Sequence, residues 1–184
     1  MIVAPELAQV FHHRWTVPLI AELARRDGER FITLSHDLAV SPPVLRQTID
    51  AACASGWVMA NPGYGHPLRP EYVLTDAGRR IADSCLKLDQ MLSGGAAREI
   101  GLRKWSFPLL LAAESDASRF AQLRDRLPKV TDRALSRAVV DLRRIRWLSR
   151  RIEANPRPTT WYETTRIAQP FLKVSRSLAH SLTG

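Results

Sequence analysis

The sequence predicts a mainly α-helical chain with small β-hairpins, made of two fused winged helix-turn-helix domains that pair as a pseudo-dimer. Three observations predict it. The first is an internal repeat. A shift of 90 places Trp15 on Trp105, Pro18 on Pro108, Leu19 on Leu109, Leu45 on Leu135, Trp57 on Trp147, Tyr72 on Tyr162 and Thr75 on Thr165. Over Phe31/Phe120, Leu34/Leu123 and Leu38/Leu127 the shift is 89, and one slipped residue in the turn before the third helix restores the register. Chance does not align so many Trp, Pro and Tyr positions. The second is that each copy reads helix, helix, turn, helix, hairpin. The third is that each hairpin is followed by a helix whose apolar stripe one winged helix alone cannot bury.

In chain order, Pro5–His13 is a short amphipathic lead-in. Arg14–Arg26 is helical and ends at Asp27-Gly28, with Pro18 tolerable only near the first turn. Arg30–Ala39 is the next helix, and Val40-Ser41 turns into a third that Gly56 ends. Val58–Asn61 and Glu71–Leu74 are strands around a loop rich in Pro and Gly. Thr75-Asp76 caps a helix over 76–92, with Ala77, Ile81, Ala82, Cys85, Leu88 and Leu92 on one face. Ser93-Gly94-Gly95 is the expected linker, dividing the chain into domains 1–92 and 96–184. The second copy repeats the plan with helices Arg103–Ala113, Arg119–Leu127 and Asp132–Arg146. Strands Leu148–Glu153 and Thr160–Thr164 flank a wing tip over 154–159, and a last helix runs over 167–182. The two post-wing helices and the lead-in should form the seam of a pseudo-twofold pair, so that the protein runs as a monomer.

The chain has 184 residues and a formal charge of +9, with pI about 10.5. Residues 1–92 hold 9 Lys/Arg against 10 Asp/Glu, and residues 93–184 hold 18 against 8. The partner this balance implies is double-stranded DNA, held mainly by the second half. No apolar run reaches the length of a membrane span and Met1–Val10 lacks a basic start followed by an apolar core, so a cytoplasmic protein with no membrane partner is expected. Arg outnumbers Lys 23 to 4, which suits a GC-rich bacterial genome. Cys53 and Cys85 read as buried small apolar residues.

The third helices carry the chemistry. Each opens on a hydroxyl residue suited to N-capping, Ser41 and Thr131. One face is small or apolar: Val44, Leu45, Ile49 and Ala52 in the first copy, Ala134, Leu135, Ala138, Val139 and Leu142 in the second. The other face carries Pro43, Arg46, Gln47 and Asp50 in the first, against Arg133, Ser136, Arg137 and Val140 in the second. A recognition helix reads bases with its early exposed positions while neighbouring cations hold phosphates. Arg133, Ser136 and Arg137 occupy those positions, and Arg137 suits a bidentate contact to guanine. Arg143, Arg144 and Arg146 come late, where phosphate contact competes with the helix C-terminal carbonyls. Arg150, Arg151 and Arg157 are the wing cations. The first copy offers only Arg46, Gln47 and wing Arg69.

These stretches resemble a known family. Arg14-Trp15-Thr16 with Leu19-Ile20 and Leu23, Lys104-Trp105-Ser106 with Leu109-Leu110, Arg30-Phe31 with Leu34, and Arg119-Phe120 with Leu123 are similar to the first two helices of HxlR-type winged-helix regulators of bacteria. Ser41-Pro42-x-Val44-Leu45 resembles their recognition segment, and Arg69-x-Glu71-Tyr72-x-Leu74-Thr75-x-x-Gly78 their wing exit. The second copy keeps Trp161-Tyr162-Glu163-Thr164-Thr165 but has Ala168 where the glycine falls. The resemblance implies a transcriptional regulator that sets one recognition helix per domain into adjacent major grooves, one chain standing in for a dimer. The family's frequent cysteine ahead of the first helix is absent from both copies, which argues against thiol or aldehyde sensing.

No catalytic constellation is present: His12, His13, His36, His66 and His180 lack metal-ligand spacing, no Gly-rich phosphate loop follows a strand, and no cofactor is expected. The paired tryptophans fit core packing. Alternatively Phe11, Trp15, Trp105, Phe107 and Phe171 line an apolar cavity for a small hydrophobic effector. The competing function is a ligand-sequestering, self-resistance type of protein on a winged-helix scaffold whose DNA binding has weakened or lapsed.

Overall fold

The computed structural model describes residues 3, 5–62, 70–114, 117–127, 129–154 and 158–183. The first copy begins with α1 (Pro5–Val10), which ends three residues before the expected limit, and α2 (Thr16–Arg26). Pro18 is the third residue of α2, where no intrahelical donor is lost. Asp27 in the left-handed region and Gly28 end that helix. A two-residue strand that the periodicity did not show, β1 (Glu29–Arg30), leads into α3 (Phe31–Asp37). The recognition helix α4 (Pro42–Ala54) follows, then β2 (Val58–Ala60), β3 (Glu71–Leu74) and α5 (Asp76–Met91). The sheet has the order β1-β3-β2, all antiparallel.

The second copy opens on α6 (Gly95–Gly101), a helix missing from the sequence reading, which placed only a linker there. Next come α7 (Ser106–Ala112), α8 (Phe120–Arg126) and the recognition helix α9 (Asp132–Arg144). Strands β4 (Leu148–Glu153) and β5 (Thr159–Thr164) pair antiparallel, with Leu148 opposite Thr164 and Glu153 opposite Thr159. A single bridge between Ser118 and Tyr162, bonded in both directions at 2.9 Å, stands where the first copy pairs Glu29 with Tyr72. A 3-10 turn over Arg166–Ala168 then enters α10 (Gln169–Thr183).

The seam has the expected parts: α5 packs on α10, and α1 packs on α10 and α7 of the other copy. The Val3 amide donates to the Arg126 carbonyl at 2.9 Å, so Val3 ties its copy to the other. One apolar cluster runs through both copies. At its centre Phe11 meets Phe107 at 4.8 Å, Phe107 meets Trp147 at 5.7 Å, and Trp147 meets Phe171 at 4.2 Å. Such aromatic pairs are each worth about 0.5–1.5 kcal/mol beyond the area they bury. Cys85 is in this core, but Cys53 is exposed, because it falls on the solvent side of α4 beyond Ala52.

A charged tie explains α6. Asp89 of α5 pairs with Arg25 of α2 at 2.6 Å and with Arg98 of α6 at 2.9 Å. Arg98 also donates to the Leu92 carbonyl at 2.8 Å, capping the end of α5. A seven-residue helix is marginal alone, and this contact supplies what its sequence lacks.

The two copies leave their recognition helices differently. Gly56 has φ of 72°, and the matching Arg146 takes the same left-handed conformation at φ of 61°. That conformation strains a side chain that bears a Cβ. Arg146→Gly is therefore expected to stabilise the protein by about 1 kcal/mol, raising the melting temperature by about 2–4 °C. Thermal unfolding followed by circular dichroism reads this directly, and a lower melting temperature contradicts it.

Candidate nucleic-acid interface

α9 buries Leu135, Ala138, Val139 and Leu142, leaving Arg133, Ser136, Arg137 and Val140 outward. Val140 is 61% exposed, an apolar side chain in the middle of a basic ridge. The helix start is well made: the Thr131 hydroxyl accepts from the Ala134 amide at 3.2 Å, and Asp132 lies in the first turn. Arg124 of α8 reaches Asp132 at 3.5 Å, anchoring that end to the preceding helix. Among the described residues neither Arg133 nor Arg137 has an ion-pair partner. Arg143 and Arg144 are exposed in the last turn, where helical spacing continues the face of Arg133, Ser136, Arg137 and Val140.

On the wing, Arg150 and Arg151 are both exposed on β4. They are not equivalent. Arg151 lies 2.5 Å from Glu153 and 3.5 Å from Glu163, so much of its charge is already met. No such carboxylate meets Arg150 among the described residues. Arg69 and Arg157 lie outside the described residues. The wing root is closed by Arg119, whose guanidinium stacks over Trp161 at 4.8 Å; the indole nitrogen of Trp161 is buried without a described partner.

The first copy is built differently. α4 buries Leu45, Thr48, Ile49 and Ala52, so Thr48 takes the core position expected of Val44, which is 38% exposed. Ser41 begins the helix in extended conformation but its hydroxyl makes no capping bond. Pro42 and Pro43 follow it at the first two helical positions, so two first-turn residues have no N–H that needs a partner. Arg46 is exposed but engaged within its own domain: it donates to the Tyr72 hydroxyl at 3.0 Å and its guanidinium lies 4.5 Å from the Phe31 ring centre. Gln47 is exposed beside it.

The five residues expected to line one apolar cavity do not share one: Phe11 and Trp15 border an open groove that Phe107 and Phe171 do not line. Phe11 and Phe107 are fully buried and packed against each other, and Phe171 is stacked on Trp147, so their volume is filled by one another. Trp15 and Trp105 are only partly buried, each beneath its preceding cation, Arg14 at 5.4 Å and Lys104 at 5.3 Å. Cys53 has its thiol pushed up by partial burial and by Asp50, so the reactive thiolate is disfavoured there. Among the described residues no three His, Cys, Asp or Glu side chains gather as a metal site, and no helix is long and apolar enough to cross a membrane.

A family model described as HxlR-like helix-turn-helix matches the chain twice in tandem, over residues 10–98 and 100–180. No curated protein and no solved structure matches it.

Proposed function

The chain belongs to the HxlR-like helix-turn-helix family, and from that premise we propose that it is a sequence-specific transcriptional regulator in which one chain supplies both halves of a DNA-binding dimer. The divisions that serve this reading are 1–92 and 96–184. The observation that carries it is the exposed basic ridge of α9, Arg133 to Arg144, beside the wing cation Arg150. In this reading α9 enters a major groove by its first turns, Arg137 takes a base edge, and Ser136 and Val140 flank it. Arg133 and Arg150 hold phosphates, together with Arg157. The fusion already covers the surface a dimer would bury, so the protein runs as a monomer. A small effector sets its DNA occupancy.

Titration of an operator-length duplex at several salt concentrations tests the reading. With the phosphates met by Arg133, Arg150 and Arg157 neutralised, log K should fall against log salt with a slope of about −3. Arg150→Ala should weaken binding to every sequence and make the slope shallower by about one unit. Arg151→Ala should do less of both, because Glu153 and Glu163 already meet its charge. A slope near zero contradicts the regulator reading.

The engagement of Arg46 by Tyr72 and Phe31 and the near-neutral first half favour a second reading, a ligand-sequestering protein that has let DNA binding lapse. It predicts no salt-dependent DNA binding at all.

A further inference from the structure

The seam between the copies holds an open groove of about 510 Å³ that no part of the DNA reading uses. Its wall comes from the same stretch of each repeat, residues 11–15 of the first copy and 102–104 of the second, with Val44 and Thr48 of α4 closing one side. The shift of 90 that relates the copies places Arg14 on Lys104. Neither copy builds this groove alone.

Its charge is of one sign. Arginine, lysine and histidine side chains line it and no carboxylate does. Arg103 is already neutralised by Asp141 at 2.6 Å and Glu99 at 2.7 Å. Arg14 and Lys104 have no such partner among the described residues; each lies only against an indole. His12 is held below the ordinary imidazole value chiefly by burial, with Lys104 and His13 acting in the same direction. Beside these cations the Trp15 ring and Val44 add apolar surface. A volume of this size suits a small organic ligand, and polar groups few in number fix its orientation.

We infer that this groove is a binding site for a small aromatic monoanion, its ring against Trp15 and its carboxylate met by Arg14 and Lys104. The cations supply charge-assisted hydrogen bonds and the indole a stacking face. Arg103 and Lys104 also border Ala134 and Arg137 of α9. An occupant therefore touches the supports of both recognition helices, and on the regulator reading, on which this last step alone rests, it sets their spacing on DNA.

The test is calorimetric titration of the full chain with 1-naphthoate, without DNA. One site per chain is expected, with affinity at least about tenfold above that for uncharged 1-naphthamide. Replacing Arg14 and Lys104 together by methionine should remove about tenfold or more of the naphthoate affinity, leaving amide binding and the melting temperature unchanged. Two equal sites, equal affinity for acid and amide, or a double variant that binds naphthoate like the parent overturns the inference. Absence of naphthoate binding alongside normal salt-dependent DNA binding also overturns it and leaves the regulator reading standing. Naphthoate binding that depends on Arg14 and Lys104, without any DNA binding, supports the site and removes the regulator reading instead.

Discussion

Replacing Arg133 and Arg137 together by alanine is expected to weaken DNA binding by about a hundredfold or more, since each good contact of this kind is worth about 1–3 kcal/mol. The matched change of Arg46 and Gln47 in the first copy should cost less than about threefold, the scale of a surface contact. The difference follows from where the guanidinium groups point. Arg133 and Arg137 lie on the open ridge of α9. Arg46 would have to leave both the Tyr72 hydroxyl, 3.0 Å away, and the Phe31 ring before it reached a base. The two changes on α9 should also separate in kind. Loss of Arg137 relaxes preference at one base pair, whereas loss of Arg133 weakens all sequences alike. A quantitative binding assay on a panel of single-base variants of the operator distinguishes them. Uniform loss from Arg137→Ala would remove it from base reading.

Gly78→Ala is expected to destabilise the fold by about 3 kcal/mol, one of the larger effects a single methyl can have. A Cβ at Gly78 would fall well inside contact distance of the Trp57 carbonyl oxygen and close to Leu74. That carbonyl already accepts from the Thr75 amide at 3.0 Å, so it is not free to move away. The melting temperature should fall by about 6–12 °C, with unfolding followed by circular dichroism. Ala168→Gly, the reverse change at the matching point, should cost only about 1 kcal/mol, the ordinary penalty for a glycine. There the chain enters α10 through a 3-10 turn, and the Ala168 side chain is fully buried without such a clash. A mild effect of Gly78→Ala would show that α5 can shift at its start as α10 has done.

The fold was largely legible because it is written twice. Periodicity marks Leu45, Ile49 and Ala52 and, independently, Leu135, Val139 and Leu142 as buried faces, and the structure buries all six. What escaped depends on contacts distant in sequence. Gly94-Gly95 reads as a linker, yet α6 begins at Gly95 because Arg98 binds Asp89 and Leu92. Thr48 rather than Val44 is buried on α4, and its hydroxyl donates to the Val44 carbonyl at 2.8 Å, which lets a polar side chain occupy the core. The sequence places the aromatic residues together, but composition does not say whether a cluster is hollow, and Phe11, Phe107, Trp147 and Phe171 fill their own space. The charge difference between halves was visible in a count. That Arg46 is held by the Tyr72 hydroxyl and the Phe31 ring could not be counted.

Paired salt titrations of Arg46→Ala and Arg137→Ala against one operator test the central claim, that a fused pseudo-dimer reads DNA with unequal halves. Arg137→Ala should lose about tenfold in affinity, and Arg46→Ala no more than about twofold with an unchanged salt slope. Equal losses from the two variants would mean a symmetric reader and contradict the account.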